Sequence, residues 1–384
     1  MSESVVASHA GIRPPSRRSE FSVITPGRVN LIGEHTDYND GLVLPMAIEP
    51  HIRIDVASRP DGWMVLETDR GVEREVRIDL GQPLSPQEFK GSWAAYPCGV
   101  VAGLKRLGWE VPGFTARISA TLPSGAGLSS SAALEVGVAT AIEALTGRRL
   151  LPDEKALLCQ RAEHEFAGVP CGIMDQYAVT FGKPGHALLL DCRSRELRHV
   201  PLAAEAVSVL VVHSGVKHSL ADGEYAKRRA ECGSAARHLG VASLREISLP
   251  EWRVREPSLP DPERRRSRHV VTEHERTLAF VDALKARNWL AAGECMYGSH
   301  ASLREDYEVS CEELDLIVDI SREIDGVFGC RMTGGGFGGC AVALVDAGRT
   351  AEVQQLFRSR YRDHTGIDPV TFVTKAAGGV SLLP

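Results

Sequence analysis

Apolar residues near the start of the chain gather into short runs bounded by turn residues, the pattern of strands. Phe21 to Ile24 is the first such run and meets the turn Pro26-Gly27; Leu42 to Ile48 and Ile52 to Ala57 follow. Arg117 to Ala120 reads as another strand, ending at Pro123. The period then changes. From Ser131 to Leu145, the residues Leu134, Val138, Ile142 and Leu145 fall on one stripe, and Gly147 supplies the stop, so a helix is predicted. A second helix is predicted over Asp153 to Phe166, started by Pro152-Asp153 and ended by Gly168. Ala187 to Asp191 is strand-like, a break follows near Arg193 to Arg198, and Val207 to His213 opens a second region. There strands alternate with long amphipathic helices, such as Gly223 to Leu239 and Thr272 to Lys285. Pro250 to Arg268 is dense in Pro, Glu and Arg and is predicted as a surface loop. The fold class is α+β, with a polar tail over residues 1–20, a first domain over 21–185 and a second over 186–384.

Bulk chemistry narrows the classes of function. A length of 384 residues exceeds what one core usually organises, so two domains are the default. The net charge of -6 argues against a general nucleic-acid binder, which needs a basic surface for phosphates. No apolar run reaches the length of a bilayer span, and Met1 to Glu20 shows no apolar stretch of a secretory signal. The nine cysteines include no C-x-x-C pair, so neither a zinc site nor a disulfide framework is suggested, and reduced thiols in the cytoplasm are expected.

Three segments carry chemistry. In Leu122-Pro-Ser-Gly-Ala-Gly-Leu-Ser-Ser-Ser-Ala-Ala-Leu-Glu135 a strand enters a flexible loop that opens directly into the striped helix. A helix start presents unpaired N–H groups and the positive end of the dipole, which suits a phosphate. Gly125 and Gly127 allow close backbone approach, and Ser129, Ser130 and Ser131 can cap the helix, bind phosphate oxygens or hold Mg²⁺. No G-x-x-x-x-G-K-[ST] occurs, and the protein-kinase H-R-D and D-F-G elements are missing.

The second segment, Pro26-Gly-Arg-Val-Asn-Leu-Ile-Gly-Glu-His-Thr-Asp-Tyr-Asn-Asp-Gly41, packs Glu34, His35, Asp37, Asn39 and Asp40 into one loop. Such density of donors and acceptors suits a polyhydroxyl ligand, and equally a solvated acidic loop. The third, Arg331-Met-Thr-Gly-Gly-Gly-Phe-Gly-Gly-Cys340, holds a G-x-G-x-x-G at Gly334, Gly336 and Gly339. A dinucleotide fold requires a helix after those glycines, whereas Cys340 to Val345 reads as a strand, so a NAD-dependent oxidoreductase fails. A glycine loop packed against a ligand or against another backbone segment remains.

Together the three segments resemble the GHMP kinases, and within them the galactokinase family. PGRVNLIGEHTDYNDG looks like that family's N-terminal signature, LPSGAGLSSSAALE its phosphate-binding loop and RMTGGGFGGC its third motif. CGIMDQ at 171–176, DCR at 191–193, GEYAKRR at 223–229 and SHASLR at 299–304 are further matches in the family's order. The resemblance implies a two-domain GHMP kinase fold with the active site in the cleft between lobes. It implies Asp175 as catalytic aspartate beside the anomeric hydroxyl and Arg28 as its partner. It further implies Glu34, His35, Thr36, Asp37, Gly172 and Tyr225 around the sugar. Residues Gly125, Ala126, Gly127, Leu128, Ser129, Ser130 and Ser131 would hold the triphosphate of ATP, with Ser131 and Glu163 as Mg²⁺ ligands.

The reaction implied is transfer of the γ-phosphate of ATP to galactose, by a cytoplasmic monomer with no nucleic-acid or membrane partner. Two rivals stand beside it. One is a sister kinase acting on arabinose, galacturonate or N-acetylgalactosamine; the other is a sensor that binds galactose and ATP without turnover. The intact Ser131-Ala132, Asp175 and Arg28 speak against the sensor. One departure is His274 in VTEHER, where the family more often carries Asn, which draws attention to packing or indirect contacts there.

Overall fold

The computed structural model describes residues 20–123, 125–217 and 221–383. Of the tail expected over 1–20, all but Glu20 lies outside the described residues. Among those described, thirteen strands form three sheets. The first sheet holds β1 (Phe21–Asn30), β3 (Pro45–Arg59), β4 (Trp63–Thr68), β5 (Glu75–Asp79), β6 (Gly113–Ala120) and β13 (Ser381–Leu383), in the order β13-β1-β3-β6-β4-β5. A three-stranded sheet joins β2 (Leu42–Val43) to β7 (His186–Asp191) and β8 (Leu197–Pro201). The third sheet runs β10 (Val327–Thr333), β11 (Gly338–Asp346), β9 (Val207–Lys217) and β12 (Val370–Thr374). Strands therefore cross residue 185 twice: β2 pairs with β7, and β13 returns to the edge of β1.

Four helices cover the first half: α1 (Ala95–Arg106), α2 (Ser130–Thr146), α3 (Pro152–Ala162) and α4 (Met174–Phe181). The second carries α5 (Ala221–His238), α6 (Leu249–Arg255), α7 (Glu263–Lys285), α8 (Trp289–Ser302), α9 (Glu312–Arg322) and α10 (Thr350–Thr365). Helix α2 is buried all round from Ala132 to Glu143, because it packs on β1 and β3 on one side and on α1, α3 and α4 on the other. Strand β9 serves two cores at once. Val207, Val209 and Val211 join the core of the first sheet, while Leu210 and Val212 join the core under α9 and α10, as the two-residue period of a strand requires.

Several expectations are corrected. Leu42 to Ile48 is divided between β2 and the start of β3, and β3 runs unbroken from Pro45 to Arg59 through the predicted Ile52 to Ala57. Pro50 has no N–H to give a ladder, and it falls between Ala47 and His51, where the pairing with β1 shifts register past Pro26. The predicted break at Arg193 to Arg198 is a hairpin turn, with β8 already begun at Leu197. The helix predicted to Phe166 is α-helical only to Ala162 and then widens into a π turn over Glu163–Ala167.

The surface loop predicted over Pro250 to Arg268 is instead α6 and the first part of α7. Its prolines are helix-start signals, since Pro250 lies in the first turn of α6 behind a Ser248–Glu251 capping box and Pro262 precedes α7. Its charges are ion pairs: buried Arg266 reaches Glu231 and Glu308, each at 2.7 Å. Trp252 is 3% exposed and donates its ring N–H to Ser267.

Candidate active site

Strand β1 delivers Arg28 to the point where α2 and α4 begin. Arg28 is 5% exposed, and its guanidinium meets Asp175 through two parallel bonds, Nε to Oδ1 at 2.7 Å and Nη2 to Oδ2 at 2.8 Å. Its third arm donates from Nη1 to the Gly127 carbonyl at 2.6 Å, and its backbone N–H donates to Leu128 O at 3.1 Å. The planar fork of arginine allows all three at once, which a lysine could not copy. Burial works against the Arg28 charge, but the Asp175 and Glu34 carboxylates overcome it and hold the guanidinium above its ordinary value. Asp175 sits in the first turn of α4 and also accepts from Ser129 Oγ at 2.5 Å.

The loop 125–131 is built from alternating roles. Gly125 and Gly127 are exposed and adopt φ of 69° and 68°, the left-handed region. Ala126 and Leu128 point into the core at 2% and 3% exposure, so only their backbone is left to meet a phosphate. Ser129 is the residue before α2, yet its side chain makes no cap bond and is given to Asp175. Ser130 is exposed, and Ser131 hydrogen-bonds the Glu163 carboxylate. Glu163, at the start of the π turn, also accepts from Gln176 Nε2 at 2.8 Å. Burial, then the charge of Asp175, pushes its carboxyl up to about 7.

On the other side of Asp175 lies the polar loop. Buried Glu34 accepts from Arg331 Nη2 at 3.1 Å, and the same guanidinium donates to Asn30 O at 2.9 Å. Burial pushes the Glu34 carboxyl up, with Arg331 and then Arg28 pulling against it. Asp37 packs so closely on Gly172 that a side-chain carbon there would overlap its carboxylate. Burial, then Asp175 and Glu34, pushes Asp37 up to about 7. The Gly172 N–H donates to Tyr225 Oη at 3.4 Å. His35 has φ of 59° and is 3% exposed; burial, then His269, takes its pKa down to about 3.

Thr36 departs from the expectation that put it among the sugar contacts. It is fully buried, with its hydroxyl 2.8 Å from Gly33 O and 2.7 Å from Leu42 O, so it staples the loop. The third motif resolves toward backbone packing: Gly334 lies against the Gly127 carbonyl and Gly336 against Val309 O.

Several residues here were missed in sequence. Arg331 stood inside a segment read only for its glycines. Glu273, on α7, accepts from Gly33 N–H at 3.0 Å and from Ser299 Oγ at 2.6 Å, and pairs with Arg276 at 2.7 Å. His269 on the same helix faces Glu34 O at 3.0 Å. His274, the departure noted in VTEHER, accepts through Nε2 from Arg245 at 2.7 Å.

The Arg28–Asp175 pair, tied to the loop 125–131 and set beside the Glu34–Asp37 loop, belongs to a chain that the comparisons with known proteins place among the GHMP kinases. The model of the galactokinase galactose-binding signature matches residues 16–58, that of the GHMP kinase N-terminal domain 95–183 and that of the C-terminal domain 280–363. Galactokinase from Homo sapiens is 43% identical over 95% of this chain and 92% of that protein. The galactokinase of Streptomyces coelicolor is 47% identical over 84% of each. The crystal structure of Lactococcus lactis galactokinase complexed with galactose has a TM-score of 0.88 at 32% identity, covering 94% of each chain. The chain belongs to the galactokinase family.

Proposed function

We propose that this ATP-dependent sugar kinase transfers the γ-phosphate of ATP to the C1 hydroxyl of α-D-galactose, releasing galactose 1-phosphate and ADP. The observation that carries this reading is the Arg28–Asp175 pair, tied at once to the phosphate loop through Gly127 and Ser129 and flanked by the Glu34–Asp37 loop. The C1 oxygen forms a bond to the γ-phosphorus as the bond from that phosphorus to the β–γ bridging oxygen breaks. Asp175 takes the hydroxyl proton and later releases it to solvent. Arg28 orients that carboxylate and neutralises charge on the phosphoryl group in flight. Such transfers depend mainly on positioning and charge neutralisation, which a rigid buried fork supplies.

Glu34, Asp37 and His35 bind sugar hydroxyls, with Gly172 leaving room beside Asp37 and Tyr225 closing one wall. Loop N–H groups from Gly125 to Ser131 cradle the phosphates. Ser131 and Glu163 would hold Mg²⁺, which when bound neutralises phosphate charge. The residues fit such a cation, because a buried carboxyl raised to about 7 is relieved by a positive ion. Among the described residues no group of three His, Cys, Asp or Glu side chains is placed to hold a metal. A few protein ligands completed by phosphate oxygens is the usual arrangement for Mg²⁺. The nine unpaired thiols suit the cytoplasm, and no described helix is long and apolar enough to cross a membrane.

The test is ATP consumption by the purified protein with Mg²⁺ across galactose, 2-deoxygalactose, glucose, arabinose, galacturonate and N-acetylgalactosamine. Galactose should give the highest kcat/KM. A different best sugar would overturn the substrate, and binding without turnover would favour a sensor.

A further inference from the structure

Behind the polar loop runs a chain of hydrogen-bonding groups that the transfer chemistry leaves unused. His35 Nδ1 lies 2.8 Å from the Tyr38 hydroxyl, which lies 2.8 Å from the Tyr307 hydroxyl. The Tyr307 hydroxyl in turn lies 3.0 Å from Cys232 Sγ. Cys232 comes from α5 and Tyr307 from the π turn Leu303–Tyr307 after α8, so three separate parts of the chain meet. Tyr307 is fully buried and Cys232 is 1% exposed, which shields the chain from competing solvent. The rings of Tyr307 and Tyr225 stand 5.0 and 5.6 Å from that of His35 and fix its plane.

A neutral imidazole carries one N–H and one lone pair, and its neighbours decide which nitrogen has which. The chain has two self-consistent directions. In one, the thiol donates to Tyr307, Tyr307 to Tyr38, and Tyr38 to His35 Nδ1. In the other every bond reverses, and Tyr307 must donate to sulfur. An imidazole nitrogen is a strong acceptor and a thiol sulfur a weak one, so the first direction is favoured. The Cys232–Tyr307 contact allows either group to donate, so the preference rests on the difference in acceptor strength at the two ends of the chain. The proton of His35 then belongs on Nε2, and that buried atom completes no well-formed hydrogen bond among the described residues, although the Gly335 carbonyl lies close enough to favour a protonated ring. An unpaired buried donor is costly unless a ligand completes it.

We propose that Tyr38, Tyr307 and Cys232 lock His35 in the Nε2–H tautomer, so that His35 serves as a fixed donor to a sugar oxygen and Tyr38 and Tyr307 act as positioning residues for sugar affinity. Glu34 and Asp37 offer acceptors beside it, so the three together match a hydroxyl-rich ligand of defined stereochemistry. The sugar part of this inference rests on the kinase reading above; the tautomer does not.

The experiment uses the full chain with ¹⁵N-labelled histidine and two-bond ¹H–¹⁵N spectra, with His35 assigned by its loss in His35→Gln. The wild type should show His35 with an imine-type Nδ1 and a protonated Nε2. Tyr38→Phe should move those shifts toward a mixture of tautomers. It should raise KM for galactose about tenfold, the scale of one lost hydrogen bond, with KM for ATP unchanged. Tyr307→Phe, one link further away, should act in the same direction by less, and thermal melts would confirm that both variants fold. An Nδ1–H form in the wild type, or a Tyr38→Phe variant with unchanged shifts and unchanged galactose KM, overturns the proposal. An Nε2–H form in a protein that phosphorylates no sugar of the panel upholds the lock and sinks the kinase reading instead.

Discussion

Arg28 uses all three arms of its guanidinium, on Asp175 twice and on the Gly127 carbonyl, and that geometry makes a sharp expectation. Arg28→Lys keeps the charge but loses the fork, leaving the Gly127 carbonyl and one Asp175 oxygen without their partner. Its kcat should fall by at least about 10²-fold, the usual effect of losing one well-placed electrostatic contact; a variant within a few-fold of wild type would refute that role. At the proposed cation site, Ser131→Ala or Glu163→Gln should raise the Mg²⁺ concentration for half-maximal rate by about tenfold or more. An unchanged Mg²⁺ titration contradicts it. Asp175 and Arg28 lie inside local runs that match family motifs, so a role could be expected of each, whereas Glu163 lies in none of those runs and by itself reads as a solvent-facing helix residue. Arg331 was not readable, because its meaning lies in Glu34, 297 positions away, and spacing along the chain carries nothing over that distance. Tyr307 escaped for the same reason, 269 positions from Tyr38.

Helix α7 shows how element-level signals can be misread. Its start reads as loop in the sequence because Pro262 and a run of arginines look like breakers and solvated charge, although they belong to a helix start and to buried ion pairs. The helix then holds the polar loop through His269, which meets Glu34 O, and Glu273, which accepts from Gly33 N–H. Burial, with Arg276 adding to it and Glu273 opposing, brings His269 down to about 4. The sign follows from linkage: the unfolded chain takes up a proton near pH 6.5 that the folded state refuses until about pH 4, so stability is lost as pH falls through that window. Denaturant melts of His269→Gln should therefore show less loss between pH 7 and pH 5 than wild type; an equal or steeper loss would contradict the assignment. The loop of β10–β11 makes a second demand. Gly336 has φ of 82° and no room beside Val309 O, so Gly336→Ala should destabilise by at least about 2 kcal/mol, read as a lower denaturation midpoint. An unchanged midpoint would show that the loop can shift freely.

At the scale of the molecule, three glycine-bearing segments from both ends of the chain meet around one Arg–Asp pair. The sequence patterns revealed the α+β class and the order of the motifs, since period and turn chemistry are local properties. They did not reveal that β2 pairs with β7, that β13 closes the first sheet or that β9 feeds two cores, because register and sheet order are set by packing between distant segments. That interlocking reaches the candidate site: Glu34 is held by a strand of the second half and Asp175 by a helix of the first, so their arrangement depends on both. The most direct test of the whole account is product analysis by ³¹P and ¹H NMR after incubating the purified protein with ATP, Mg²⁺ and galactose, with Asp175→Asn alongside. The account predicts galactose 1-phosphate from wild type and a rate lower by about 10³-fold in the variant, the scale of a lost proton acceptor. Phosphate on any other hydroxyl, or near-wild-type turnover by the variant, would contradict it.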